Sequence, residues 1–264
     1  MTPTATPLTT ETLPATTAET DVKSASESAA ISTIDFRPSV HEALAHYFDG
    51  FYPCYLTDDT DGPIGWKKYS HRGIQWLDKI HIGSSQKRYV FSTKFQVRYN
   101  TAFKDVLIGC ADLTRQGHTW ITPGLIDVYC KLHMLGFAHS FECWQNDKLV
   151  GGAFGIQIGG MMTVESMFHT VDHASKAAYG QALMRLKERG FKLVDVNNAS
   201  EHFARFGAET VPQWQFEETL RDVRGATPSF DDNLPTPTLP LAVRIHIPLR
   251  RIARAVGRRF KRPA

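Results

Sequence analysis

The stretch FKLVDVNNASEH at 191–202 brings two polar side chains, Asp195 and Asn197, to the end of an apolar run. At i and i+2 on an extended strand they share one face. A carboxylate can accept a proton, and an amide can orient a carbonyl or donate to its oxygen, without basicity of its own. Amide formation from an ester donor needs that pairing. Ordinary Asx turn chemistry at a strand end accounts for the same spacing. A second acid, Glu165, sits in VESMF among Met162, Val164, Met167 and Phe168. A carboxylate in such company is either ion-paired or functional, because burying it alone is costly. An ammonium group is the natural guest of such an acid.

Other motifs carry less. GGAFGIQIGG at 151–160 lacks GxxxxGK[ST], and as a GxGxxG variant it does not lead into a helix. Its glycines read as bulges and close backbone approaches in a bent sheet, or as room for a ligand against it. His139 and Ser140 are neighbours and point to opposite sides of a strand, so HSFECW holds no local triad. No HExxH is present, and Cys54, Cys110, Cys130 and Cys143 lack CxxC spacing, so neither a metal site nor a disulfide framework is expected.

The elements that must position these residues follow from the pattern. Residues 1–33 are Thr, Ala, Ser and Pro with few large apolar groups and read as a disordered leader. Val40, Ala43, Leu44 and Tyr47 recur at helical spacing, with Ser39 as N-cap and Gly50 as stop. Short strands follow around IGWKKYSHRGIQW, and TKFQVRYNTAFKDVLIGCADL predicts a strand and a helix. TPGLIDVYCKLHMLG is a helix opened by Thr122 and Pro123, with Leu125, Val128, Tyr129, Leu132 and Leu135 as one stripe. AHSFECWQ, KLVGGAFGIQIGG and MMTVESMF predict three strands, and DHASKAAYGQALMRLKERG the clearest helix. FKLVDVN is a strand, SEHFARFG a short helix and ETVPQWQFEETL a last strand; TPSFDDNLPTPTLPL reads as a Pro-rich linker. The result is an α/β (α+β) chain with a mixed, largely antiparallel sheet. The expected division is 1–33 leader, 34–98 small N-terminal domain, 99–224 catalytic domain and 225–264 linker and basic tail.

Charge separates the tail from the body. From 241 to 264 there are eight Lys or Arg and no acid; removing these eight from the net +3 leaves the remainder at about −5. A polycationic end suits a polyanion, nucleic acid or an anionic membrane surface. No apolar run approaches the ~20 residues that cross a bilayer, and the N-terminus has no signal-peptide pattern, so a cytoplasmic protein is expected.

Taken in order, TWITPGLIDVYCKLHMLGFAHSFECW, LVGGAFGIQIGG, VESMF, ASKAAYGQAL and VDVNNASEHFARFGAE resemble the leucyl/phenylalanyl-tRNA–protein transferase family from about Phe103 to Ala208. The resemblance implies a GNAT-like acyltransferase domain after a small N-terminal domain, acting as a monomer without cofactor. It implies transfer of Leu, Phe or Met from aminoacyl-tRNA to an acceptor protein beginning with Arg or Lys, a mark for degradation. Asp195 and Asn197 stand at the family's DCQ, Glu165 at its GESMF glutamate and Trp120 at the TWI tryptophan, taken to meet the 3′ adenosine. The aminoacyl pocket would draw on Ala153, Met162, Met167, Tyr179, Ala182, Leu186 and Val194. This chain departs from the family at the donor site. DCQ reads Asp195-Val196-Asn197, the glycine of GESMF is Val164, FPW reads Tyr52-Pro53-Cys54, and Ala153 stands where Leu or Met is usual. An altered donor preference is expected. Two rival readings remain: a silent RNA- or degron-binding module, and a GNAT-like enzyme with a small acyl donor.

Overall fold

A computed structural model describes residues 35–60 and 62–237. The leader read at 1–33 and the basic tail lie outside the described residues.

The chain opens with α1 (Val40–Phe48), whose N-cap Ser39 accepts the Glu42 N–H and whose apolar face buries Ala43, Leu44, Tyr47 and Phe48. Gly50 follows in the left-handed region at φ 80°. Strands β1 (Tyr52–Tyr55) and β2 (Ile64–Lys67) form a separate antiparallel ribbon. Then come β3 (His71–Trp76), α2 (Ser84–Val90), β4 (Gln96–Tyr99), α3 (Phe103–Ala111) and the single turn α4 (Leu113–Gln116). Helix α5 (Pro123–Met134) begins as the sequence predicts, with Thr122 accepting the Leu125 N–H and Pro at the first turn. It ends one residue before Leu135, which is exposed rather than part of the buried stripe.

Strands β5 (Ala138–Gln145) and β6 (Lys148–Ile158) form the longest hairpin. MMTVESMF, predicted as one strand, is two: β7 (Met161–Thr163) and β8 (Ser166–His169). Both pair with β6, but only β7 also pairs with β9 (Leu193–Asn197), and that pairing is parallel. Helix α6 (Ala174–Glu188) carries the chain back between them. After α7 (Glu201–Ala204) come β10 (Glu209–Pro212) and α8 (Gln213–Val223). The expected last strand is thus strand for four residues only. Pro212 has no N–H to continue a ladder, and Phe216, Leu220 and Val223 then bury one helical face.

The large sheet runs β10-β3-β9-β7-β6-β5-β4, with β8 beside β6. Every pairing but β7–β9 is antiparallel, which is the mixed, largely antiparallel class expected. One apolar cluster joins this sheet to α1, α3, α5 and α8; a second joins it to α6. The boundary drawn from sequence at 98/99 falls inside β4, and β3 from the first half pairs with β9 and β10 from the second. Hydrogen-bond ladders therefore tie the two expected domains into one sheet.

The segment predicted as a Pro-rich linker is packed on the body as far as it is described. Phe230 is buried against Tyr99, Phe141, His139 and Phe191. Arg185 donates to the Phe230 carbonyl at 3.1 Å, and Asn100 to Asp231 at 2.8 Å. Gly136 lies so close beneath Pro235 that a Cβ there would collide with its carbonyl oxygen. Composition suggested a linker; one aromatic anchor and its polar neighbours make the segment a strap.

Candidate active site

The parting of β8 from β9 creates the site. The Asp195 carbonyl accepts the Val164 N–H at 2.8 Å, the last rung between them; the next amide, Glu165, turns to Phe154 of β6. Beyond Asp195, Asn197 takes φ 58°, an uncommon conformation for a residue with a side chain, and leads the chain away. The two strands thus diverge, and Asn197 Nδ2 bridges back to the Val164 carbonyl at 3.5 Å.

A cleft of about 580 Å³ opens there, lined by Tyr52, Cys54, Tyr69, His71, Gly73, Trp120, Glu165, Asn197 and Thr210 among others. The β1–β2 ribbon closes one side with its aromatic rings, and Tyr52 and Tyr69 lie 5.1 Å apart. Trp120, from the loop before α5, is partly buried against the first core cluster and presents its remaining surface to the cleft.

Asp195 itself is fully buried and is clamped by an arginine. Arg72 Nε donates to Oδ1 at 2.8 Å and to Oδ2 at 3.0 Å, and Nη2 donates to Oδ2 at 2.6 Å. The guanidinium is only 2 % exposed and lies 4.4 Å from the Tyr52 ring and 4.8 Å from the Phe216 ring. Oδ1 of Asp195 also accepts the Asn197 N–H at 2.9 Å. This is the geometry of a fixed, neutralised acceptor, not of a free carboxylate.

Glu165 has the opposite environment. Its Oε1 is buried with no hydrogen-bond partner. Burial pushes it up to about 7, against the hydrogen-bonding influence of Thr163; the Asp195 charge adds to the rise, while Arg72 and Tyr47 oppose it. A carboxyl that is part ionised near neutrality can take a proton from an amine and return it. Among the described residues, no cluster of His, Cys, Asp and Glu could hold a metal ion. HSFECW folds as a structural element: Glu142 accepts from the Thr101 and Ala102 amides at 2.7 Å each, from Ser140 Oγ at 2.8 Å and from Trp144 Nε1 at 3.1 Å.

Comparison with known proteins agrees with this chemistry. The family model described as leucyl/phenylalanyl-tRNA protein transferase matches residues 74–221. A leucyl/phenylalanyl-tRNA–protein transferase of Salinibacter ruber is 39 % identical over 184 residues, covering 70 % of this chain and 79 % of the relative. Those of Myxococcus xanthus and Nitratidesulfovibrio vulgaris are 39 % and 40 % identical, covering 70 % and 68 % of this chain and 78 % and 76 % of the relatives. The chain belongs to the leucyl/phenylalanyl-tRNA–protein transferase family. Among solved structures, a FemX crystal structure is similar with a TM-score of 0.46 and 12 % identity, covering 62 % of this chain and 63 % of that one.

For a transferase of this family the expected site residues divide in two. Glu165, Asn197 and Trp120 meet at the cleft, with Asp195 just behind it. Ala153, Met162, Tyr179, Ala182, Leu186 and Val194 are buried together in the cluster under α6, with Met167 packed against it. Strand alternation puts that cluster on the sheet face opposite to Glu165 and Asp195, whose electrostatic and packing neighbours come from α1, α5 and β3. The opening between β8 and β9 is where the two faces communicate. Arg72 escaped the sequence reading. Its signal was an arginine inside a short apolar strand, HRGIQW, which a buried acid elsewhere had to answer.

Proposed function

We propose that this transferase moves an apolar aminoacyl group, Leu, Phe or Met in kind, from aminoacyl-tRNA to the N-terminal amine of an acceptor protein that begins with Arg or Lys. The observation that carries this is the cleft at the parted strands, where an unpartnered carboxyl, Glu165, faces a left-handed asparagine, Asn197, inside the family-matched segment. The donor ester already stores the energy of the new bond, so the protein needs only to orient, deprotonate and steady charge.

In this reading the 3′ adenosine stacks on Trp120, the ester carbonyl lies at Asn197, and the acceptor amine approaches Glu165. The donor side chain passes between β8 and β9 toward Ala153, Met162, Met167, Tyr179, Ala182, Leu186 and Val194. No resident cofactor takes part. The enzyme works as a monomer in the cytoplasm, where charged tRNA is supplied. Ala153 and Val164 reshape the entry, which supports a shifted donor preference.

The test is single-turnover transfer from a pool of all charged tRNAs to a peptide beginning with Arg, with products read by mass. A peptide longer by one residue supports the reading, and the added mass names the donor. Tight tRNA binding without product would replace it with a binding module. Absence of both would leave an enzyme of small acyl donors.

A further inference from the structure

We infer that Arg72 is a positioning residue of the transfer reaction, holding Asp195 so that Asn197 faces the reacting groups, and that the amine proton goes to Glu165 rather than to Asp195. The inference rests on the proposed aminoacyl transfer and assigns the roles within it.

Three features of the clamp carry it. Both carboxylate oxygens of Asp195 are occupied by Arg72 at 2.6–3.0 Å, and Oδ1 holds the Asn197 amide as well. A proton arriving there would have to displace a charge-assisted hydrogen bond, and Asp195 is fully buried and does not line the cleft. The clamp is itself held: the Tyr52 ring of β1 and the Phe216 ring of α8 both pack on the Arg72 guanidinium. Finally, Asn197 sits at φ 58°, a conformation that is unfavourable for most side chains and is kept here by its own N–H bonding to Asp195. The clamp thereby sets where the Asn197 amide points.

Glu165 is the remaining acid, and it lines the cleft. The groups that act on it are Thr163 beside it, Asp195 of β9, Arg72 of β3, Tyr47 of α1 and Tyr129 of α5. The acceptor ammonium gives one proton to the Glu165 carboxylate. The freed lone pair forms the new bond to the ester carbon, and the carbonyl π pair moves to its oxygen. Collapse of that intermediate expels the ribose oxygen, which takes the second amine proton. Glu165 releases its proton to water, and the amide is complete.

The experiment uses the full-length protein, charged tRNA and the Arg-initial peptide, with kcat followed against pH and folding followed by circular dichroism. Arg72→Met leaves the Asp195 charge uncompensated, so the acid limb of kcat moves to higher pH; Asp195→Asn leaves the arginine charge alone, so the limb moves lower. Arg72→Met also slows kcat about 100-fold, as misplacement of a reacting group does, without raising the acceptor KM. Arg72→Lys restores part of the rate. If Arg72→Met does not fold, the double variant R72M/D195N, which carries neither charge, returns the limb toward wild type yet stays slow. A folded Arg72→Met with wild-type kcat, or limbs that shift the same way in both single variants, overturns the inference while the transfer itself stands. Absence of product from the wild-type protein overturns both.

Discussion

The hydroxyl oxygens of Tyr47 and Tyr129 lie 2.8 Å apart, joining α1 to α5, and both phenols act electrostatically on Glu165. Burial first, and the Glu165 charge second, push both phenols well above their ordinary range. The floor on which Glu165 rests is therefore neutral and anhydrous, and its carboxyl is raised for the same reason.

Glu165→Gln should make the protein more stable at pH 8 and less sensitive to pH between 5 and 7. An acid raised from 4.5 to about 7 holds its proton more tightly folded than unfolded. Its stability contribution is full below pH 4.5 and is lost as pH rises through 7. The size is up to about 3 kcal/mol on the unit-by-unit conversion, less where the carboxyl meets cleft water. Urea melts of both proteins across that range check it. Parallel pH profiles for wild type and variant would discard the raised carboxyl. Transfer by the variant should fall sharply and lose its dependence on pH near 7.

Trp120→Ala should weaken the donor tRNA and spare the acceptor peptide. Stacking of one base on an aromatic ring is worth about 1–3 kcal/mol, so the KM for charged tRNA should rise roughly 5- to 150-fold. The acceptor KM should hold, because the peptide amine meets Glu165 instead. Trp120 also packs against the first core cluster. Melting temperature therefore has to be recorded beside the kinetics. Equal rises in both KM values would show that the ring shapes the cleft rather than stacks a base.

What could be read from the chain was local. Thr122 and Pro123 announced α5 because a cap and a first-turn proline act on their own neighbours. Asp195 and Asn197 announced an edge because two polar groups ending an apolar strand are visible within seven residues. The break between β7 and β8 was hidden, since Val164 and Glu165 remain extended and only their hydrogen-bond partners, Asp195 and Phe154, reveal it. Arg72 was hidden more deeply, because its partner lies 123 positions away and only the folded sheet brings β3 beside β9. Composition misled at 225–237, where prolines and polar residues outnumber the one ring, Phe230, that pins the segment. The apolar residues expected around the donor side chain were legible as core, and periodicity alone cannot separate a pocket wall from packing.

Phe230→Ala should cost about 3–5 kcal/mol, the usual price of a buried aromatic removed from a well-packed site. Phe230 is 1 % exposed and makes edge contacts of 5.4 Å with both Tyr99 and Phe141. The Arg185 guanidinium lies 5.2 Å from its ring as well. Chemical denaturation checks the figure. A loss under 1 kcal/mol would return the segment to the status of a linker. The distance between this strap and the cleft residues along α5 predicts that KM values for tRNA and peptide remain unchanged while the protein is folded.

Gly73→Ala should damage the reaction more than the fold. A Cβ at Gly73 would meet the carbonyl carbon of Asn198 at 2.6 Å and would collide with the amide of Ala199. These are backbone atoms, which cannot swing aside as a flexible side-chain end can. Overpacking of this kind typically costs 1–3 kcal/mol. Gly73 pairs with Asn197 across the sheet at the very point where the register shifts. The turn at 198–199 must therefore move outward and carry Asn197 with it, changing the amide that the Asp195 carboxylate holds. Transfer kinetics measured well below the melting transition separate the two effects. A kcat lower by about 100-fold with a modest loss in stability marks Gly73 as the glycine that lets the active edge close against β3; a stability loss with full kcat would show that the turn yields without moving Asn197.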